Sequence, residues 1–188
     1  LLAAAALALP LRHAAAGATA RWAVDGYDQW AEGEAESAFI TSIGSVKPGW
    51  QTSKSELEVG GSWSAVRAGD GVIYLGSDDK AAVWAVKDGK ARKLASVGGA
   101  VAVVALALGP GNALYAGTMP GGQVWRIDRT SGKASKLVEL KGVETVWSLA
   151  IDRAGHLFAG TGPEGKLFRI DPKSGSARMV FDTDDRRI

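Results

Sequence analysis

The sequence contains no cysteine and only two histidines in 188 residues. A chain without cysteine has no disulfide framework, no thiolate metal site and no cysteine nucleophile. It also lacks an excess of charge of one sign, since 22 Lys and Arg stand against 20 Asp and Glu. This balance offers no basic patch for nucleic acid or for an anionic membrane surface. We therefore predict no nucleic-acid partner, and no cofactor is evident.

The N-terminal segment is apolar and rich in small residues. Leu1 to Leu11 is too short to span a bilayer, which takes about 20 apolar residues. Ala18-Thr19-Ala20 has the small-x-small pattern that a signal peptidase cleaves. We predict a secretory signal at residues 1–20, clipped at its own N-terminus, with an ordinary Ala-rich helix as the alternative. The mature chain would then begin near Arg21, have no membrane span, and be periplasmic or extracellular.

Three segments of the chain repeat one another at an interval of about 42 residues. Tyr74, Tyr115 and Phe158 are 41 and 43 residues apart. Residues 104–137 and 147–180 share 14 identities in 34 positions without a gap. Internal similarity at a fixed interval of this length is the mark of a repeat protein.

Each repeat is predicted to contain four short strands. Trp147, Leu149 and Ile151 alternate with small or polar residues, which is the period of a strand with two unlike faces. In the last repeat we predict strands at residues 146–152, 157–161, 166–171 and 176–182.

The turns between these strands have their own chemistry. Asp128 and Asp171 each begin an Asp-x-x-Ser-Gly turn, in which the carboxylate can bond the backbone two residues on. The glycine then closes a hairpin with a bulge. Gly122 and Gly165 are predicted to take positive φ in the preceding turn of each repeat.

A unit of about 42 residues with four hairpin-linked strands is the signature of a β-propeller blade. We predict an all-β propeller fragment at residues 38–188, with a β-solenoid as the alternative. A poorer unit, two strands around a glycine turn, is expected in Phe39–Lys47. Residues 21–37 form an unassigned lead-in, with a short helix expected around Tyr27–Glu36. Since propellers close with four to eight blades, we expect the sequence to be truncated at both ends.

The repeated Leu-Tyr-Ala-Gly-Thr at 114–118, Leu-Phe-Ala-Gly-Thr at 157–161 and the two Arg-Ile-Asp triplets carry a family likeness. The pattern resembles a loose group of bacterial propellers that includes the streptogramin-lyase-like proteins, the gluconolactonase-like proteins (regucalcin) and the NHL-type repeats. The resemblance covers about residues 62–188 and implies the fold. The lyase-like enzymes need a catalytic histidine, and the gluconolactonases need a metal site of carboxylates and amides.

The sequence shows no cluster of residues that would serve a lyase or bind the metal of a gluconolactonase. Once the signal is removed, His156 is the only histidine, and we interpret it as a solvated turn residue. Asn112, the only asparagine, also falls in a turn. We therefore predict no catalytic and no metal-ligating residue in this chain.

The tryptophans and the loop acids are the candidates for ligand contact. Trp84 and Trp125 match Phe168 in the repeat, so packing between blades explains them. Other residues fall on one predicted face, made by the loops between the second and third strands, the links between blades and the starts of the innermost strands. Binding sites lie on loops held by rigid scaffolds. For Trp63 and Trp147, core packing remains the alternative to stacking on a sugar or a peptide. The candidate ligand-face residues are Trp63, Asp78, Asp79, Met119, Glu144, Trp147 and Glu164.

Two functions remain open. The first is an extracytoplasmic propeller that binds a protein, a peptide or a glycan on one face. The alternative is an enzyme of lyase or lactonase type with its catalytic residues in missing blades. Fold alone does not decide between them.

Overall fold

The computed structural model describes residues 28–29, 37–41, 43–49, 54–78 and 80–183. The chain divides into two compact units, Leu1–Thr52 and Ser53–Ile188. The predicted signal segment lies outside the described residues. So does the helix predicted around Tyr27–Glu36, except for Asp28 and Gln29, which are helical. In the part of the chain that is described, no helix is long and apolar enough to cross a membrane.

The smaller unit contains one antiparallel hairpin. Strand β1 (Ala38–Ile40) pairs with β2 (Val46–Pro48), and Phe39 lies opposite Lys47. Gly44 has a φ of 76° in the turn between them. The two strands predicted around a glycine turn are therefore confirmed, while their membership of a blade stays a prediction.

The larger unit contains three four-stranded antiparallel sheets, which we call blades one, two and three. Within each blade the strands lie side by side in chain order. This series of sheets confirms the predicted all-β propeller fragment. Blade one contains β3 (Ser62–Arg67), β4 (Ile73–Ser77), β5 (Ala82–Lys87) and β6 (Lys90–Ser96). Blade two contains β7 (Ala102–Leu108), β8 (Ala113–Met119), β9 (Gln123–Asp128) and β10 (Ala134–Glu139). Blade three contains β11 (Thr145–Ile151), β12 (Leu157–Gly162), β13 (Lys166–Ile170) and β14 (Ala177–Asp182).

Buried side chains fill the spaces between neighbouring blades. One cluster combines Val83 of blade one with Leu114 of blade two. A second cluster combines Val124 of blade two with Leu157 of blade three. Blade two is covered on both faces by its neighbours, so its central strand β8 is buried on both faces. Burial between sheets is thus the main force that holds the blades together.

The mid-strand aromatic residues support this packing. Trp125 packs against the first cluster and Phe168 against the second, which confirms their predicted role. The Trp125 indole nitrogen also donates to Gln123 Oε1 at 2.9 Å. Trp84 is half-buried in β5, and its indole nitrogen has no hydrogen-bond partner among the described residues.

The repeated hydroxyl at the end of the second strand closes the next loop. Ser77, Thr118 and Thr161 are buried. Each donates a hydrogen bond to the carbonyl five residues on, at 3.1, 3.2 and 2.8 Å respectively. This bond explains why the Gly-Ser or Gly-Thr pair recurs in all three blades.

The Asp-x-x-Ser-Gly turns have the predicted geometry. Asp128 Oδ1 accepts hydrogen bonds from the backbone N–H of Thr130 at 3.0 Å and of Ser131 at 2.7 Å. Asp171 Oδ1 accepts equivalent bonds from the next two N–H groups of its own turn, at 2.8 and 2.9 Å. These bonds hold the hairpin between the third and fourth strands of blades two and three.

We expect Asp128→Asn to lower the free energy of unfolding near neutral pH but not in acid. The hydrogen bond from the Ser131 backbone, followed by that from its hydroxyl, lowers the pKa of Asp128 below 3.8. A carboxylate with a lowered folded pKa stabilises the fold above its unfolded pKa and loses that contribution as the pH falls through the folded value. Urea unfolding of both proteins at about pH 6 and about pH 2.5 measures the difference. An equal loss of unfolding free energy at both pH values would contradict a role for the Asp128 charge.

Candidate functional site

The loops between the second and third strands and the links between blades form the predicted ligand face, which we call the loop face. Within one antiparallel blade, the start of the first strand, the end of the second, the start of the third and the end of the fourth lie at the same end of the sheet. Hydrogen bonds connect these ends across blades. Ala81 N donates to Val101 O at 3.2 Å, and Gly122 N donates to Glu144 O at 3.1 Å. The loops of adjacent blades are thus fixed to one another.

Both candidate tryptophans occupy the same special position. The pairing of the first and second strands shifts register between Ser62 and Ser64 in blade one and between Val146 and Ser148 in blade three. Trp63 and Trp147 are therefore the bulge residues of β3 and β11. A bulge re-aims a side chain and often lies beside a functional site. Sequence alone predicted these residues at the start of the innermost strand but not the bulge.

The two indoles differ in exposure. Trp63 is 55% exposed, whereas Trp147 is half-buried. The corresponding bulge residue of blade two is Val104, which is only 7% exposed. The shared bulge thus presents a large aromatic surface at blade one and a small buried side chain at blade two.

Blade one brings Trp63 and Asp78 close together. Asp78 Oδ1 accepts a hydrogen bond from Gly61 N at 2.8 Å, and Asp78 N donates to Gly61 O at 3.2 Å. Gly61 is two residues before Trp63, so the acid fixes the chain that leads into the bulge. Asp79 lies outside the described residues.

Of the remaining candidates, Met119 and Glu144 lie where blades two and three adjoin, and Glu164 lies in the loop between β12 and β13 of blade three. Met119 is half-buried and ends β8, and Glu144 is exposed in the link to blade three. Backbone bonds join Glu144 to Gly122 and to Gly162, at 3.1 and 3.0 Å. Glu164 is exposed and pairs with Lys166, and this hydrogen bond lowers the pKa of the Glu164 carboxyl.

His156 lies at the other end of the sheets, away from the loop face. Its Nδ1 lies 2.9 Å from Asp152 Oδ2, and its Nε2 contacts Arg169 Nη2. A ring that donates from Nδ1 and accepts at Nε2 satisfies both contacts. The His156 ring bond, and then its backbone bond, lower the pKa of Asp152. The sequence interpretation of a solvated turn residue is therefore wrong in one respect, because both ring nitrogens are held by the protein.

The sequence alone does not identify Asp152 and Arg169 as partners of this ring. Asp152 precedes the histidine by four residues in the same turn, and that spacing was an available signal. Arg169 comes from β13, and only the strand pairing brings it near. Among the residues that the structure describes, no group of three or more His, Cys, Asp and Glu side chains could hold a metal ion.

Comparisons with solved structures identify the fold of this chain. It is similar to virginiamycin B lyase from Staphylococcus aureus, with a TM-score of 0.57 and 14% identity over 76% of this chain and 47% of that chain. It is similar to an extracellular domain from B. thetaiotaomicron, with a TM-score of 0.56 and 16% identity over 77% of this chain and 20% of that chain. It is also similar to regucalcin, a calcium-binding protein from Agrobacterium tumefaciens, with a TM-score of 0.50 and 18% identity over 66% of this chain and 45% of that chain.

These likenesses confirm the predicted resemblance at the level of the fold. The chain spans less than half the length of each of the three proteins. It matches no family model and no curated protein.

Proposed function

We propose that this chain is part of an exported β-propeller that binds a peptide, protein or glycan ligand on its loop face. Export is supported by the apolar segment and the Ala18-Thr19-Ala20 pattern of the N-terminus. Binding is supported chiefly by Trp63, a large aromatic side chain that is 55% exposed at a bulge of an innermost strand.

An exposed indole at this position is open to contact with a ligand. Trp and Tyr are enriched at binding interfaces because they bury a large apolar area and lose little conformational entropy. Asp78 fixes the backbone before Trp63, which reduces the entropy lost when a ligand stacks on the ring. Glu144 and Glu164 add exposed carboxylates to the same face. Such carboxylates accept hydrogen bonds from sugar hydroxyls or peptide N–H groups.

The test is a screen of the full chain on glycan and peptide arrays, repeated with Trp63→Ala. We expect each ligand found with the unchanged chain to bind at least about tenfold more weakly to the variant, since about 1.4 kcal/mol of lost contact is tenfold in affinity. The control is Ile73→Ala, which removes a 37%-exposed apolar side chain from the opposite end of the sheet of blade one. Ligands that bind Trp63→Ala as well as the unchanged chain would contradict a site at the bulge.

The alternative is an enzyme of lyase or lactonase type with catalytic residues outside the described part of the chain. It is supported by the structural likeness to virginiamycin B lyase, at 14% identity. His156 does not add to it, because the ring lies away from the loop face and both of its nitrogens are occupied. We therefore propose ligand binding in preference to lyase or lactonase activity.

A further inference from the structure

The end of the sheets opposite to the loop face contains a cleft between two blades. Here the first-to-second-strand turns of blades two and three and the third-to-fourth-strand turn of blade three surround a cleft of about 370 Å³. Cavities of about 300–1,000 Å³ accommodate small organic ligands. We propose that this cleft, the inter-blade cleft, binds a small organic carboxylate.

The wall from blade two supplies a hydroxyl and a guanidinium side by side. Tyr115 and Arg126 are directly opposite each other in the pairing of β8 with β9, so their side chains lie on the same face of the sheet. Tyr115 is only 3% exposed and lines the cleft. Its hydroxyl forms no hydrogen bond within the described residues. The hydroxyl oxygen is not fully buried, so it is open to the cleft, and a ligand oxygen there can accept its hydrogen bond.

The charges of the cleft favour an anion. Arg126 is exposed and forms no ion pair with any described residue, and the same holds for Lys173 of blade three. Asp171 is the acid of the lining; two backbone N–H groups of its own turn bond its Oδ1, and the nearby Lys173 charge also lowers its pKa, so Arg126 is the cation that no acid of the lining offsets. The free donors are therefore one guanidinium, one ammonium and one phenol. A guanidinium binds a carboxylate through two parallel hydrogen bonds.

The shape of the cleft is fixed before any ligand arrives, and its walls are partly apolar. A Cβ atom on Gly175 would overlap the Leu137 carbonyl oxygen, so the hairpin of blade three lies directly against β10 of blade two. Pro110 and Pro172 line the cleft from the two blades. An organic body between these prolines would gain apolar contact that a bare inorganic anion would not.

The equivalent cleft between blades one and two differs at both key positions. Ala85 occupies the place of Arg126 in the repeat, and Arg129 occupies the place of Pro172. The Arg129 guanidinium carbon lies 5.9 Å from the centre of the Tyr74 ring, and Arg129 Nη2 donates to Gly111 O at 2.6 Å. The tyrosine of that cleft is thus covered by the protein's own cation, whereas Tyr115 is not.

The experiment is a calorimetric titration of the full chain with benzoate, with benzamide and inorganic phosphate as comparison probes. We expect saturable benzoate binding, and Arg126→Ala should weaken it by about tenfold or more because a charge-assisted pair is lost. Tyr115→Phe, which removes only the hydroxyl, should weaken it by about fivefold. Arg92→Ala removes an exposed cation from the equivalent cleft and should leave the affinity unchanged.

Three results would overturn the proposal. The first is a lack of saturable benzoate binding. The second is equal affinity for benzamide or phosphate, since the site would then not select an organic carboxylate. The third is benzoate binding that Arg126→Ala leaves intact, which would place the ligand elsewhere on the chain.

Discussion

Gly76→Ala is expected to lower the free energy of unfolding by about 2–3 kcal/mol, because it forces a methyl group into the interface between blades one and two. Gly76 lies in β4, where a Cβ atom would sit 2.5 Å from the Val103 carbonyl oxygen and 2.7 Å from Val103 Cγ1. It would also overlap the Ser64 hydroxyl. The carbonyl is backbone of β7, so no side-chain rotation relieves the clash, and the two blades must move apart.

Gly69→Ala is the matched control for this substitution. Gly69 lies in the turn before β4, its φ is not positive, and nothing lies within 4 Å of the added Cβ. Alanine there should leave stability unchanged or raise it slightly, since it restricts the unfolded chain. Urea unfolding of both variants measures the difference. Equal stabilities for the two variants would contradict close packing of β4 against β7.

The fold can be predicted from this sequence because the four-strand unit occurs three times. The strands predicted at 146–152, 157–161, 166–171 and 176–182 differ from the observed ones by at most one residue at each end. A weak strand signal that recurs three times at one interval is far more specific than a single occurrence. The turns could also be predicted, because the hydrogen bonds of the Asp128 carboxylate join it only to residues of the same turn.

The candidate site was less predictable because it depends on contacts between blades and on backbone irregularities. The bulges at Trp63 and Trp147 leave no distinct mark in the sequence, since the register shift appears only when β3 pairs with β4 and β11 with β12. The contact of Arg169 with His156 joins residues from different strands. The sequence identifies Tyr115 only as an aromatic residue of the repeat. The structure shows that it lines a cleft together with Arg126.

Gly132→Ala is expected to have the larger effect, about 3 kcal/mol of lost unfolding free energy, because strain and overlap act together. Gly132 closes the Asp128 turn with a φ of 73°, a conformation that costs an L-residue about 1–2 kcal/mol. A Cβ atom there would also overlap the Leu94 carbonyl oxygen in β6 of blade one. The turn of blade two would have to lift away from the blade before it.

Gly142→Ala separates the two contributions. Gly142 has the same φ of 73°, but nothing lies within 4 Å of its added Cβ. Gly142→Ala should therefore lower the free energy of unfolding only by the cost of the backbone conformation, about 1 kcal/mol. Gly175→Ala, with a φ of 72° and an overlap with the Leu137 carbonyl oxygen, should match Gly132→Ala. Equal losses for Gly132→Ala and Gly142→Ala would mean that backbone strain alone is at work. A larger loss shared by Gly132→Ala and Gly175→Ala would show that each blade is docked on the one before it through the same glycine.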